Sequence, residues 1–281
     1  MKIYSTIAEM HASCVAARRD SQRLGLVPTM GALHGGHLSL VRAAREQCDM
    51  VAATIFVNPT QFAPNEDFSK YPRSFDRDCE LLKEEGVDLL FAPSAQEMYP
   101  AGVLTYVTVE GLSEKLCGKS RPGHFRGVTT VVAKLFHIVE PELAFFGQKD
   151  AVQAAIIRRM VRDLDMPVEL VVCPIVREPD GLAMSSRNAY LDPQQRKAAQ
   201  VLYRSLLRIQ TMSGQRERNV ANLVRAGKAT FSEEPAVRLD YLEVVHPETL
   251  DPVAEVTGEA LAAVAAIVGT TRLIDNIVLR A

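Results

Sequence analysis

The chain has few cysteines, and their spacing argues against two kinds of site. Five cysteines occur in 281 residues, at positions 14, 48, 79, 117 and 173, and no two of them form a CxxC pair. A zinc finger or a disulfide framework needs closely spaced or paired cysteines, so neither is expected. The pattern is typical of reduced thiols in a cytosol.

The sequence also lacks any block of like charges. It contains 32 basic and 34 acidic residues, which gives a formal net charge of -2. Proteins that bind nucleic acid generally carry a basic face or tail. We therefore expect no nucleic-acid partner.

Long apolar segments are missing too. The first 20 residues have no uninterrupted apolar core of the kind found in a signal peptide. The run "ALAAVAAIVG" near the C-terminus is too short to span a bilayer. With 47% hydrophobic and 23% charged residues, the chain has the composition of a globular protein. We expect a soluble, cytoplasmic protein with no membrane partner.

What is present is an alternation of strand-like and helix-like segments. Apolar runs at 24–28 and 50–57 flank a helical pattern from His37 to about Gln47, which predicts a βαβ unit with parallel strands. Earlier in the chain, Thr6 and Glu9 form a capping-box pattern that predicts a first helix to about Arg19. Further helices and strands are predicted, in turn, at 75–85, 88–93, 126–139, 143–147, 151–164 and 168–175.

This alternation predicts an α/β fold with a Rossmann-like, doubly wound parallel sheet. After about residue 175 the pattern changes to two helices, at 193–211 and 216–230, followed by three strands. We therefore predict two domains: a Rossmann-like domain over 1–176 and a smaller α+β domain over 177–281. Ligands of open α/β sheets bind beyond the carboxyl ends of the strands, so the segments after the strands are the candidate site.

The segment after the first of these strands, "TMGALHGGH", suits a polyphosphate. Its glycines allow close approach of backbone amides, and the positive end of the following helix favours negative charge. His34 and His37 share one helix face and can donate hydrogen bonds to phosphate or protonate a leaving group. An ordinary turn with two histidines is the alternative. A metal site would need a third ligand, and no His or Cys lies at a usual spacing. The loop has neither GxGxxG nor GxxxxGK[ST], which disfavours a dinucleotide fingerprint and a P-loop.

Three other segments follow strands. In "NPTQF", Gln61 can bind a polar substrate through its amide, or the segment is a plain turn. In "FFGQKD", Lys149 offers a point charge for phosphate, whereas Asp150 can be a helix cap. In "AMSSRN", Ser185, Ser186 and Arg187 form either a phosphate clamp or a polar linker between domains. A further segment, "RPGHFRG", contributes weaker candidates at Arg121, His124 and Arg126.

Taken together, these segments resemble one enzyme family. "PTMGALHGGH", "FVNPTQF", "YPR", "RPGHFRGV", "FGQKD" and "REPDGLAMSSRN" occur in the order and spacing of the pantoate–β-alanine ligases, over about residues 1–195. These belong to the HxGH nucleotidyltransferases. The resemblance implies that pantoate attacks the α-phosphate of ATP to give pantoyl adenylate and pyrophosphate. The amine of β-alanine then gives pantothenate and AMP.

The resemblance also implies partners and residue roles. Magnesium accompanies ATP, the substrates are pantoate, β-alanine and ATP, and the protein is a homodimer. His37 is the proton donor, and His34 assists at the phosphates together with Lys149 and Arg187. Gln61 and Gln153 hold pantoate, with Gln61 also in the β-alanine site. The implied ATP-binding residues are Met30, Gly31, Ala32, Leu33, His34, Gly35, Gly36, His37, Gly147, Gln148, Lys149, Asp150, Val176, Met184, Ser185, Ser186 and Arg187.

The chain departs from the family pattern at two places. Gly35 follows the first histidine, where an acidic residue is common, and Val152 stands where a first glutamine precedes Gln153. No magnesium ligand is assigned; Asp76 and Asp78 are candidates without further support.

Three other functions stay open. Another HxGH nucleotidyltransferase would share the ATP residues but not the small-acid site. A relative of class I aminoacyl-tRNA synthetases would match "HGGH" and "MSSR" loosely, but the short chain and balanced charge oppose it. A non-catalytic ATP-binding regulatory domain would have no reason to keep both histidines.

Overall fold

A computed structural model describes residues 1–64 and 66–281, and these form two compact units. The first unit comprises Met1–Gly147 and Ile156–Pro174, and the second comprises Gln148–Ala155 and Ile175–Ala281. The functional division at residue 176 stays a prediction. In the structure the short segment Gln148–Ala155 groups with the C-terminal residues.

The first unit is built on a six-stranded parallel sheet. Its strands are β1 (Lys2–Tyr4), β2 (Leu24–Val27), β3 (Met50–Thr54), β4 (Leu89–Phe91), β5 (Leu143–Gly147) and β6 (Glu169–Cys173). Their order is β1-β4-β3-β2-β5-β6, and every pair is parallel. The direction of winding reverses between β2 and β5, which is the place where open α/β sheets bind ligands. The predicted Rossmann-like sheet is confirmed.

The helices begin and end close to the predicted limits. They are α1 (Ile7–Arg19), α2 (Gly35–Gln47), α3 (Phe75–Glu84), α4 (Ala95–Met98), α5 (Cys117–Ser120), α6 (His124–Val139), α7 (Ala151–Asp163), α8 (Pro193–Ala199), α9 (Val201–Gly214) and α10 (Val220–Phe231). At the start of α1, the Thr6 hydroxyl accepts the Glu9 N–H at 3.3 Å, as the capping pattern predicted. Buried apolar residues of α2 pack with β2, β3 and β5 in the core of this unit.

The second unit contains the predicted small α+β arrangement. Strands β7 (Val237–Val245), β8 (Glu259–Val268) and β9 (Thr271–Arg280) form an antiparallel sheet in chain order. One core cluster joins residues of α9 and α10 to residues of this sheet, including Leu206, Leu223 and Val264. Because the apolar face of a sheet needs cover, these helices and strands form one folding unit.

Two four-residue helices, α4 and α5, were not predicted, and four other details differ from the sequence predictions. The helix predicted at 193–211 is two helices, because at Gln200 the N–H bonds to the Lys197 carbonyl three residues back and the turn tightens. Strand β3 ends at Thr54, so residues 55–57 lie beyond the sheet. The helix predicted at 216–230 begins after its cap, Asn219. Strand β1 was not predicted, since three residues are too few to show a periodicity.

No helix among the described residues, 1–64 and 66–281, is long and apolar enough to cross a bilayer.

Candidate active site

The glycine loop after β2 is held by buried side chains of neighbouring elements. Thr29 and Thr54 follow or end adjacent strands, and the Thr29 hydroxyl donates to the Thr54 carbonyl. The Thr29 N–H donates to the Thr54 hydroxyl at 3.1 Å. Asp78, in the first turn of α3, is 1% exposed and accepts the N–H groups of Ala32 at 2.8 Å and Leu33 at 2.9 Å. These bonds fix the backbone that leads to the two histidines.

Glycine is required inside this loop at position 31. Gly31 has φ +80°, and a Cβ there would lie 3.0 Å from the Asp78 carboxylate. The N–H groups of Ala32 and Leu33 already have an acceptor, the Asp78 carboxylate. The N–H donors that we expect to face a phosphate are therefore those at the start of α2, together with the two histidines. Asp78 and Asp76 were the two candidate magnesium ligands. Both carboxylate oxygens of Asp78 accept loop amides, whereas Asp76 is exposed.

His34 and His37 lie together where α2 begins. Their ring centroids are 4.1 Å apart, with 34° between the ring planes. His34 caps the helix, and its Nδ1 accepts the Gly36 N–H at 3.2 Å. Because Nδ1 is the acceptor of this bond, Nε2 is the ring nitrogen of His34 that can donate to a ligand.

Gln61 lies in a short 3₁₀ turn, Pro59–Gln61, whose conformation depends on Asn58. Asn58 is 1% exposed, and its oxygen caps the turn by accepting the Thr60 N–H at 3.3 Å. Its amide nitrogen donates to the Gln61 Oε1 at 3.1 Å. The Gln61 Nε2 in turn donates to the Met30 Sδ at 3.1 Å. The Gln61 amide is thus oriented between its own turn and the glycine loop, and it retains one donor and one acceptor position.

The start of α6 supports the Gln61 turn from the other side. His124 Nδ1 lies 2.8 Å from the Gln61 carbonyl, and Arg121 donates to the same oxygen at 3.4 Å. Arg121 also forms a two-pronged ion pair with Glu66, at 2.5 and 2.7 Å. Burial acts to raise the pKa of Glu66, but the bonds from Arg121 outweigh it and hold that pKa below its ordinary value. Gly127 lies against the turn with no space for a side chain. The structure therefore gives Arg121 and His124 contacts to the Gln61 backbone.

Apart from Gly147, which ends β5 in the first unit, the remaining residues implied to bind ATP or pantoate belong to the second unit. Lys149 Nζ lies 3.7 Å from the carboxylate of Asp150, in the turn Gln148–Asp150 that directly precedes α7. Gln153 is partly exposed in the first turn of α7, and Val152 is buried. Burial of Val152 explains why an apolar residue is tolerated where the resemblance suggested a glutamine.

Val176 and the loop Met184–Arg187 are joined within a hairpin. The Met184 N–H donates to the Val176 carbonyl at 3.0 Å, and Arg177 pairs with Ala183 across the same hairpin. Ser185 caps the next turn by accepting the Arg187 N–H at 3.3 Å. Val176, an implied ATP-binding residue, and the predicted phosphate clamp therefore lie on one short hairpin.

Sequence reasoning missed three supporting residues in the second unit. Arg177 binds Asp275 of β9 in a two-pronged ion pair, with distances of 2.6 and 3.0 Å. Burial raises the pKa of Asp275, and the Arg177 guanidinium acts in the opposite direction. Asn276, the next residue of β9, bonds to the Gln148–Asp150 turn. Two consecutive polar residues inside the apolar run Leu273–Leu279 of β9 were the signal that could have revealed them.

The cysteines and carboxylates do not form a second chemical centre. Burial raises the pKa of Cys14 to about 12 and also raises the pKa of Cys173, so neither thiol is a ready nucleophile. Within residues 1–64 and 66–281, no group of three or more His, Cys, Asp or Glu side chains could hold a metal ion.

Nearly the full length of the chain matches one known family. The family described as pantoate-beta-alanine ligase matches residues 2–278, which is nearly the entire chain. The chain belongs to the pantoate–β-alanine ligase family. It is a ligase that makes pantothenate, and the family resemblance of its motifs is confirmed.

Curated relatives and solved structures carry the same name. The chain is 59% identical to the pantothenate synthetase of Koribacter versatilis over 281 residues, which cover 100% of this chain and 97% of the relative. It is 51% identical to the crystal structure of the pantothenate synthetase from Thermus thermophilus, with a TM-score of 0.94 and 99% of both chains covered. A structure of the ligase from Francisella tularensis, complexed with beta-gamma ATP and beta-alanine, is 35% identical with a TM-score of 0.80, and the match covers 99% of this chain and 97% of that one.

Proposed function

We propose that this ligase joins pantoate to β-alanine in two steps. The carboxylate of pantoate attacks the α-phosphate of ATP, which breaks the bond to pyrophosphate and gives pantoyl adenylate. The amine of β-alanine then attacks the acyl carbon and loses a proton as the amide forms, and AMP leaves with the electron pair of the broken acyl–phosphate anhydride bond. Adenylation converts a poor acyl donor into a good one, so no side-chain nucleophile is required. The raised pKa values of the buried thiols agree with this route.

One observation supports the proposal more than any other. Within the first unit, the loop that leads to the adjacent imidazoles of His34 and His37 also contacts the Gln61 amide through Met30. Groups suited to phosphate therefore adjoin a group suited to a small hydroxy acid. A nucleotide-binding domain without this acid substrate would not need the Gln61 amide beside the two histidines.

The two histidines take different roles in this proposal. Negative charge develops on the α-phosphate and on pyrophosphate during the first step, and donors placed there stabilise the transition state. His37 donates a proton to the phosphate oxygens as pyrophosphate departs. His34 donates through Nε2–H, because its Nδ1 is already bonded to the Gly36 amide.

The remaining assignments follow the family resemblance. Lys149 and Arg187 bind phosphate oxygens, and Asp150 binds the ribose. Gln61 and Gln153 bind pantoate, and Gln61 also contacts β-alanine. Val176 contacts adenine through its backbone; its carbonyl accepts the Met184 amide, and a carbonyl oxygen has a second lone pair. The wider ATP-binding set is the one predicted in the sequence, at 30–37, 147–150 and 184–187.

Magnesium enters, in this proposal, as part of the MgATP substrate. The described residues offer no cluster of carboxylates that could form a dedicated cage, and Mg²⁺ often binds mainly through phosphates and water. The cytoplasmic location and the homodimer are further proposals that rest on the resemblance. Light scattering of the purified protein tests the dimer; a mass near one chain, 30.9 kDa, would reject it.

Exchange of labelled pyrophosphate into ATP tests the two-step route. We expect exchange that depends on pantoate in the absence of β-alanine, because the first step is reversible by itself. Addition of β-alanine should then release AMP and pantothenate in equal amounts. Product formation with no exchange at any pantoate concentration would contradict a free adenylate step. Release of ADP and phosphate instead of AMP would reject adenylation altogether.

A further inference from the structure

Asn276 of β9 makes an unusually complete set of hydrogen bonds to the Gln148–Asp150 turn. Its Nδ2 donates to the Gln148 carbonyl at 2.9 Å and to the Lys149 carbonyl at 3.0 Å. Its Oδ1 accepts from the Gln148 Nε2 at 2.9 Å. The side chain is 3% exposed, so these bonds are shielded from water.

The two carbonyls belong to the two peptide groups on either side of the Lys149 Cα. Fixing both peptide planes fixes the backbone dihedrals of Lys149, and with them the direction of its Cα–Cβ bond. A carboxylate at position 276 could not donate to the two carbonyls, and a serine would have a single donor on a shorter side chain. Asparagine is therefore suited to this position by its pair of amide hydrogens.

The strand that carries Asn276 is itself held at this point. The preceding residue, Asp275, is 3% exposed and accepts the Asn276 N–H at 2.7 Å. Asp275 also holds Arg177 in the ion pair described above. The backbone of β9 is thus held in place at the residue whose side-chain amide bonds to the Lys149 turn.

We propose that Asn276 is a positioning residue that directs the Lys149 ammonium toward the phosphates of ATP. This inference rests on the proposed role of Lys149 in the adenylation step. Asn276 contacts no substrate; it acts by restricting the turn from which Lys149 projects. Its loss lets the turn adopt other conformations, in which the charge is misplaced.

A double-mutant cycle with Lys149 tests the proposal. The measured quantity is kcat/KM for ATP in pantoate-dependent pyrophosphate exchange, for Asn276→Ala, Asn276→Asp, Lys149→Ala and the combination of Asn276→Ala with Lys149→Ala. Misplacement of a reacting group by about 1 Å can cost about 100-fold, so we expect each Asn276 variant to lose about 10- to 100-fold. In the Lys149→Ala background the further loss should be below about twofold, because the group being positioned is gone.

A control on the same strand separates positioning from stability. Leu279 is 2% exposed in the core of the second unit and makes none of these bonds, so Leu279→Ala destabilises the same sheet. It should keep kcat/KM for ATP within about threefold at a temperature where circular dichroism shows it folded. If Asn276→Ala does not fold, Asn276→Asp, which has nearly the same shape, takes its place in the cycle.

The outcomes distinguish the inference from the proposed function. Equal losses for an Asn276 variant with and without Lys149 would overturn positioning and leave the catalytic role of Lys149 intact. Wild-type exchange by Lys149→Ala would reject the assigned role of Lys149 and the inference with it. Wild-type exchange by Asn276→Asp would also overturn the inference, because an aspartate side chain in either protonation state cannot donate to both carbonyls.

Discussion

Substitution of Gly127 by alanine should disturb the Gln61 turn without removing any side chain that we place near substrate. Gly127 lies in the first turns of α6, and an ideal Cβ at this position would be 2.4 Å from the Thr60 carbonyl oxygen and 2.7 Å from the Gln61 Cα. Both neighbours are backbone atoms, which cannot rotate away. The Gly127 carbonyl is also bonded to Asn58 at 3.1 Å, so α6 and the turn are held together on this side.

Two opposing effects determine how much Gly127→Ala changes the stability of the protein. In a helix interior, alanine is favoured over glycine by about 1 kcal/mol. Relief of the overlap requires the turn and the helix to separate by roughly 1 Å, since carbon contacts are comfortable near 3.5 Å. Overpacking of this kind typically costs about 1–3 kcal/mol, so the net effect should be a moderate loss of stability. A displacement of about 1 Å at Gln61 should lower kcat/KM for pantoate by about 100-fold.

The assay compares Gly127→Ala with a matched glycine-to-alanine change. Gly214 ends α9, and a Cβ there would meet nothing within 4 Å. Gly214→Ala should therefore leave both the melting temperature and the kinetics close to those of the wild type. For Gly127→Ala, kcat/KM for pantoate should fall far more than the KM for ATP rises. Wild-type kinetics and stability in Gly127→Ala would refute the steric reasoning, and equal losses for both substrates would refute the placement of Gln61 at the acid.

Four further outcomes follow from the same contacts. His37→Ala should slow pyrophosphate exchange by about 100-fold or more at unchanged melting temperature, as expected for one lost transition-state donor; normal exchange would reject its role. Gln153→Ala should raise the KM for pantoate far more than that for ATP, and an equal rise would indicate a structural role. Asp78→Asn should cost about 1–3 kcal/mol in urea unfolding, because one loop amide loses its acceptor; a change below about 0.5 kcal/mol would contradict the anchoring. The ionised form of Glu66 is stabilised in the folded protein, so its contribution is present above its ordinary pKa of 4.5 and is lost as the pH falls through the lower folded value. At pH 7 the wild type should be about 1–2 kcal/mol more stable than Glu66→Gln in urea titrations, and this difference should disappear as the pH falls below 4.5. A difference that persists at the lower pH would contradict the ion pair with Arg121.

Local pattern in the sequence was enough to predict most elements. The continuous apolar runs at β2 and β5 predict strands covered on both faces, and the change of rhythm after residue 175 predicts the α+β region. The motifs predicted the enzyme family because they occur together in the order and spacing of that family, and four of them follow strands. The tight turn at Gln200 was not predicted, since both helices around it keep the same apolar spacing.

Tertiary structure alone decided which distant residues support the site. The sequence does not show that Asp78 binds the amides of Ala32 and Leu33, or that Asn276 binds a turn 127 residues earlier. Periodicity reports which face of an element is apolar, and therefore which elements form. The partner of a buried polar side chain depends instead on strand order and register, which bring distant parts of the chain within hydrogen-bond distance. The sequence by itself determined the chemistry available to this ligase, and the tertiary structure decided how its side chains are held, because hydrogen bonds depend on positions that only packing sets.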